Sequence, residues 1–509
     1  MQQVKIGWAS RDVSTSVPIN IPGQFHMRIS KGIMDPLTLT ALVIDNSEDL
    51  VIFLSADLVV IRSGLLDEVR EQVSLLEPEI ETIKIIMNAT HTHTGASHYL
   101  DKGNDALRTG SSTAPVDDVP HPGVEIASSD DYRAYLAREA AEAVVEAYRT
   151  RAPGGIAYGY GFAVVSHSRR VIYFDDTSKR PGEQVSGFRV NGHGVMYGNT
   201  RDKQFSHYEA GADHFINLLY TFTPAGELTG AIINVPCPSQ NSESEYKLSA
   251  DYWHDVRVAV RKIYGNIHIL PQSAAGGDLS PRLLHYKEAQ ARRFRLKYGN
   301  EQTELSARKD IAERVAAAFA EVLSWAKNDI RSELPIEHVV ETVELSKRRI
   351  SQDELAFAEE KLAELNKIPF KLEGDSPEEL LRFNSSLVAQ RNRFIRIVGR
   401  YKSQDSEPKL PMEMHVLRIG NIAFASNRFE LFMDFMHRIQ ARSPFEQTFV
   451  IQLAGTPGMD GGTYLATERA VQNKGYSACL FCNIVSPEGG QEMVDETVSI
   501  LEKLYDNKS

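Results

Sequence analysis

The sequence predicts an α/β fold, a large mixed-sheet domain flanked by helices with a helical insertion. Three observations carry that prediction. Over the first ninety residues, short apolar, β-branched runs alternate with a segment of helical periodicity. Polar or glycine-rich clusters follow the carboxyl ends of several runs, the edge at which open α/β sheets bind ligands. The stretch 283–395 then turns charged and mostly helical before the α/β pattern resumes.

In chain order, residues 37–44 and 50–54 read as strands, the second closing at Ser55-Ala56-Asp57. Residues 61–76 have helical spacing, and 81–87 form a strand running into Asn88-Ala89-Thr90-His91. Residues 101–130, rich in Gly, Ser, Asp and Pro, predict a loop or lid. A helix follows over 131–147, then strands over 156–165, 195–197, 215–222 and 228–235. Residues 256–264 read as a helix and 267–270 as a strand ending at Ser273-Ala274-Ala275-Gly276-Gly277-Asp278. Within 283–395, the runs 307–325 and 351–365 have a 3.6-residue period, with one strand near 337–345. Strand-like segments return over 412–424 and 447–453. The whole of 1–509 reads as one large α/β domain, with 283–395 a helical insertion or subdomain within it.

Composition narrows the function. Hydrophobic residues make up 42% and charged residues 24%, as in a globular protein with a sizeable core. A net charge of −12 argues against sequence-independent nucleic-acid binding and against an anionic membrane surface. No signal peptide and no spanning segment is read, so a cytoplasmic location and a small-molecule substrate are expected. The three cysteines, Cys237, Cys479 and Cys482, are too few for a disulfide framework. The apolar filling of Cys479-Leu-Phe-Cys482 reads better as a buried strand than as half a zinc site.

Four clusters carry chemistry. In Asn88-Ala89-Thr90-His91-Thr92-His93-Thr94-Gly95, extended backbone would aim both imidazoles at one site, where imidazole is the commonest zinc ligand. The ordinary alternative is a polar loop. Ala274-Ala275-Gly276-Gly277-Asp278-Leu279-Ser280-Pro281 offers small residues, backbone amides and the Ser280 hydroxyl to a ligand, or is simply a capped glycine turn. Ala423-Phe424-Ala425-Ser426-Asn427-Arg428-Phe429-Glu430 reads as strand into helix, with Glu430 in the first helical turn. Asp460-Gly461-Gly462-Thr463-Tyr464-Leu465-Ala466-Thr467 is a glycine loop presenting a phenol.

Taken in order, these clusters resemble the neutral, non-lysosomal ceramidase family in its N-terminal catalytic domain, as a divergent member: 1–509 would be that single catalytic domain, and the C-terminal immunoglobulin-like domain of the family's secreted enzymes is not expected after Tyr464. Residues 89–95 look like that family's A-T-H-T-H-S-G signature, and 275–281 resemble its segment bearing the catalytic serine, here Ser280. Leu248-Ser249-Ala250-Asp251 is similar to its I-S-P-D stretch, which brings Asp251 among the catalytic candidates. The resemblance implies a zinc ion held by His91, Glu430 and Tyr464, with His93 beside it as hydrogen-bond partner or proton carrier. It implies substrate contacts from Arg169 and Arg170 in Ser168-Arg169-Arg170, and from Gly277 and Asp278.

The chain departs from the family where a further histidine ligand belongs. The comparable stretch, Asn234-Val235-Pro236-Cys237-Pro238-Ser239-Gln240, has none. Cys237 is the nearest replacement, since a thiolate binds zinc well, and the alternatives are Asp251, His254 or His93 itself. Cys237 as a small buried core residue is an equal reading, and a changed ligand set leaves manganese or iron open. The expected activity is metal-activated hydrolysis of an amide or related acyl linkage in a small soluble substrate rather than ceramide. The alternatives are a metal-assisted lyase or glycan-directed enzyme, and a non-catalytic binding descendant.

Overall fold

Alternation along Thr38–Asp45 explains how the molecule is layered. Leu39, Ala41 and Val43 face one core, while Leu42 and Ile44 face another, and all five are fully buried. Side chains alternate across a strand, so only a strand covered on both faces reads as a continuous apolar run. The computed structural model describes residues 2–102, 114–181, 191–299, 302–458 and 463–507. Part of the loop expected over 101–130, and Asp460-Gly461-Gly462, lie outside them.

Three mixed sheets meet. The first contains β1 (Lys5–Asp12), β2 (Thr38–Asp45), β3 (Leu50–Ala56) and β4 (Ile85–Ala89), in the order β4-β3-β2-β1, with Ala152–Pro153 beyond β1. The second contains β5 (Gly155–Phe162), β6 (Phe215–Phe222), β7 (Leu228–Val235) and β8 (His268–Ser273), in the order β8-β7-β6-β5. The third runs β9-β10-β11-β12, with β9 at Ile336–Ser346, β10 at Lys409–Ile419, β11 at Ile422–Ser426 and β12 at Gln447–Ile451. Their inner faces share one core, in which Phe53 meets Phe424 at 5.0 Å and Phe424 stacks on Phe449 at 4.4 Å. Helices α1 (Leu65–Leu76) and α2 (Ser129–Thr150) cover the outer face of the first sheet. Helices α3 (Tyr252–Tyr264) and α4 (Thr303–Ala326) cover the second. Helices α5 (Gln352–Asn366) and α6 (Pro377–Ser403) pack together, while α7 (Met433–Arg442) and α8 (Pro487–Asp506) join the core outside the third. Among the described residues no helix is long and apolar enough to cross a membrane.

Each sheet contains one parallel pair: β3 with β4, β7 with β8, and β11 with β12. Their carboxyl ends converge and are stitched by main-chain hydrogen bonds. Ala89 N donates to Leu453 O, Gln452 N to Ser273 O, and Ala274 N to Val235 O. That junction receives the segments after β4, β8 and β11, three of the clusters singled out above, and the Pro236-Cys237-Pro238 segment after β7.

The α/β class and mixed sheets agree with the sequence expectation; several boundaries do not. The strand expected over 81–87 begins only at Ile85, after a single 3-10 turn at Thr82–Lys84. The helix expected from 61 begins at Leu65, because Ser63 and Gly64 take left-handed backbone. The stretch 412–424 is two strands folded about Gly420, whose φ of 62° makes the turn. Cys479 and Cys482 lie in a tight turn and not in a strand, with Cys482 N bonded to Cys479 O. Strand β9, from within 283–395, pairs along its full length with β10.

Two buried electrostatic features bear on stability. Asp57, at the end of β3, accepts both Arg257 Nη groups, at 2.8 and 3.2 Å, and Thr38 N, tying α3 to the first sheet. Arg257→Ala strands that carboxylate and should cost about 3–5 kcal/mol in urea unfolding, and a loss under about 1 kcal/mol would refute the assignment. Two histidines are held neutral. Burial, with Arg62 and Arg133 nearby, pushes His98 down to about 3. Burial also pushes His338 well down, its Nε2 sharing a hydrogen bond with His415 Nδ1 at 3.0 Å. The unfolded chain protonates both below about 6.5, so stability falls as pH drops through that value. Between pH 6.5 and 5.0 each histidine should remove about 2 kcal/mol, and His338→Gln should flatten the slope in urea titrations at the two pH values.

Candidate active site

His91 is the first residue past β4 but one, and its backbone is left-handed, with φ at 64°. The two imidazoles therefore converge through a turn and not through the extended chain the spacing suggested, with ring centroids 4.8 Å apart. His91 Nδ1 lies 2.7 Å from Val59 O. A carbonyl only accepts, so Nδ1 carries the proton and Nε2 presents a lone pair, as a metal-ligating histidine does. That lone pair lies 3.3 Å from His93 Nε2 and 3.3 Å from Glu430 Oε2.

Gln240 completes the group. Its amide nitrogen is 2.8 Å from His93 Nε2 and 3.4 Å from His91 Nε2, while its oxygen accepts from Arg169 Nη1 and the Tyr197 hydroxyl. The guanidinium fixes which way the amide points, so both Nε2 atoms are acceptors. His93 Nδ1 makes no hydrogen bond and faces Glu243 Oε2 at 3.5 Å. Burial first, then the neighbouring His91, Arg28 and Arg169, hold His93 well below the usual histidine range. Gly23, at φ +103°, lies against this ring, where a Cβ would sit 2.7 Å from Nδ1.

Glu430 does not sit in a helical turn. It lies in a two-residue strand, Glu430–Leu431, paired in parallel with Tyr464–Leu465, so Glu430 and Tyr464 are register partners. The helix begins only at Met433, whose amide Asp278 accepts at 3.0 Å. Arg169, fully buried, donates to Gly277 O at 2.7 Å and to the Tyr464 hydroxyl at 3.2 Å, and its Nη2 stands 3.8 Å from Glu430 Oε2. Burial, and then Glu430, push the Tyr464 phenol well above its ordinary range, so it is neutral. Ser280 Oγ accepts from the Tyr197 hydroxyl at 3.2 Å.

Of the residues singled out in the sequence, the structure thus brings together His91, His93, Glu430, Tyr464 and Arg169, with Ser280 linked through Tyr197 and Gly277 through its carbonyl. It does not bring in the others. Cys237 Sγ donates to Val165 O at 3.3 Å, and burial pushes its thiol well up. Asp251 caps α3 and accepts from Ser242 N at 2.6 Å and Tyr252 N at 2.7 Å, bracing the loop that bears Gln240. Arg170, the first residue of the short strand Arg170–Tyr173, is held away from the group in a buried ion pair with Glu209. Asp278 is spent on capping α7. Sequence reasoning missed Gln240, Glu243 and Tyr197. Gln240 stood in the quoted segment three residues past Cys237, but an amide carries no metal signature by itself.

Among the described residues no three His, Cys, Asp or Glu side chains are arranged to hold a metal ion. The donor chemistry still fits one. A fixed imidazole lone pair and a carboxylate oxygen face each other at 3.3 Å in a buried place, two acceptors that repel unless a cation or a proton lies between them. Tyr464 supplies the further oxygen, and the carbonyl behind His91 supplies the outer support that ligating histidines take.

No family profile and no curated protein sequence matches the chain. Solved structures do. The crystal structure of neutral ceramidase from Pseudomonas aeruginosa superposes with a TM-score of 0.65 at 16% identity, over 99% of this chain and 75% of that one. A ceramidase complexed with C2 gives a TM-score of 0.62 at 15% identity, over 99% and 76%. The three-sheet arrangement therefore has a counterpart among known structures, and the chain has the fold of the neutral ceramidases.

Proposed function

We propose that the chain is a metal-dependent hydrolase of an amide or related acyl linkage, with zinc the ion that best suits its donors. The observation behind this reading is the His91 lone pair apposed to Glu430 Oε2, with the tautomer set by Val59 O. Likeness in fold to ceramidase structures supports the reaction class. His91, Glu430 and Tyr464 would hold the ion, with His93 beside them. A divalent cation bound there supplies Lewis-acid polarisation of a carbonyl and acidifies water.

The chain's own groups do the rest. His93 Nε2, kept neutral by burial, takes a proton from the attacking water and returns it to the leaving amine or alcohol. Glu243, 3.5 Å from Nδ1, balances the imidazolium that forms. Arg169 and the Ser280 hydroxyl, which accepts from Tyr197 and so keeps its own proton to give, are donors for the developing oxyanion. Arg28, Glu243 and Arg282 surround His93 with charge, Arg282 pairing with Glu243 at 2.6 Å, which suits a small soluble substrate better than ceramide.

Gln240 favours a second reading, a binding descendant whose amide takes the place of a ligand between the two imidazoles. Elemental analysis of purified protein separates the two. One equivalent of divalent metal per chain is expected, lost with turnover in His91→Ala and Glu430→Ala and retained in Cys237→Ser, whose sulfur faces Val165 O. Full metal and full turnover in both alanine variants would sink the hydrolase reading.

A further inference from the structure

Helix α6 carries Arg393, Arg396 and Arg400, spaced three and four apart and so on one face. Arg400 donates to Leu480 O at 2.8 Å and Arg348 O at 3.1 Å. The Arg393 guanidinium lies over the Phe25 ring at 4.8 Å and the Phe481 ring at 4.9 Å. Arg396 stands differently. It is 5% exposed, its Nε donates to Asn392 O at 3.3 Å, and both Nη atoms are shut off from solvent without a hydrogen-bond partner. Among the described residues no carboxylate pairs with it.

Burial, with Arg393 and Arg400 next, brings this guanidinium down to about 9, so it is still a cation at neutral pH. A buried guanidinium presents a planar fork that matches a carboxylate or phosphate through two parallel bonds. Leaving that fork empty is costly, and among the described residues no anion fills it.

The cluster adjoins the site already described. Segment 22–28 bridges the two, with Gly23 against the His93 ring and Phe25 under Arg393. Those two Cα atoms are at most about 7 Å apart. Phe25 also meets Tyr476 edge-on at 5.2 Å, and Tyr476 meets Tyr464 at 5.8 Å.

We propose that Arg396, backed by Arg393, receives an oxyanion group, carboxylate or phosphate, borne by the ligand whose acyl linkage lies at His91 and Glu430. The substrate class is then an anionic acyl compound and not a neutral lipid. The acyl part rests on the hydrolase reading above; the anion site rests on α6 alone.

Calorimetric titration of the full-length chain with inorganic phosphate and, separately, acetate tests the site, at ionic strength fixed with sodium chloride. Saturable binding of at least one probe is expected, weakened about tenfold or more in Arg396→Gln. Should that variant fail to fold, Arg396→Lys keeps the charge, loses the fork, and should bind more weakly than wild type. Which probe binds tells carboxylate from phosphate. Wild type binding neither, or a folded variant binding both as wild type does, overturns the proposal. A second arm compares N-acyl amides identical except for a free or esterified carboxylate. The kcat/KM ratio of anionic to neutral compound should be about ten or more and should fall towards one in the variant. No turnover of any acyl amide, alongside phosphate or acetate binding lost in the variant, removes the hydrolase reading and leaves the anion site standing.

Discussion

A guanidinium buried where three sheets meet has to find acceptors, and Arg169 finds them on three different segments. It donates to the Gly277 carbonyl after β8, the Gln240 amide oxygen after β7, and the Tyr464 hydroxyl, with Glu430 in range. Remove those acceptors and a charge is stranded in a dry interior, so the segments are held by the need to satisfy one cation. The same need orients Gln240, and through Gln240 it decides that both imidazoles present lone pairs. Electrostatics at Arg169 and the Val59 carbonyl behind His91 thus agree on one protonation pattern for the centre.

Backbone crowding does the complementary work. A Cβ on Gly277 would stand 2.4 Å from Glu430 O, so only glycine lets the loop after β8 lie against the short strand carrying the carboxylate. His91 pays for its placement with a left-handed backbone, a strain that an over-determined site tolerates.

Much of this was legible in the sequence because it is periodic or local. Strands β2, β3, β6 and β7 stand out as apolar runs, and β4 announces itself by ending in Thr90-His91-Thr92-His93. What could not be read depends on contacts between distant segments. Glu430 looked like the start of a helix because a carboxylate after a strand ordinarily is; a two-residue pairing with Tyr464 delays the helix to Met433. Cys237 attracted attention as the chemically soft residue in Pro236-Cys237-Pro238, yet the turn through Pro238 sends its sulfur to Val165 O and brings Gln240 round instead. Arg169 and Arg170 are neighbours in sequence, yet one donates at the centre and the other pairs with Glu209.

The distances along the chain between partners at the centre have a consequence for biosynthesis. Gln240 and His91 are 149 residues apart, and Arg169 and Tyr464 are 295 apart. A ribosome extending this chain makes the histidine pair long before the phenol. Domains fold largely as synthesis proceeds from the amino terminus, yet here no early fragment contains a complete set of groups. The first two sheets can assemble while the third, and the short pairing that carries Glu430 and Tyr464, are still being made. The group at the junction is therefore complete only once Glu430 and Tyr464 have joined segments made much earlier.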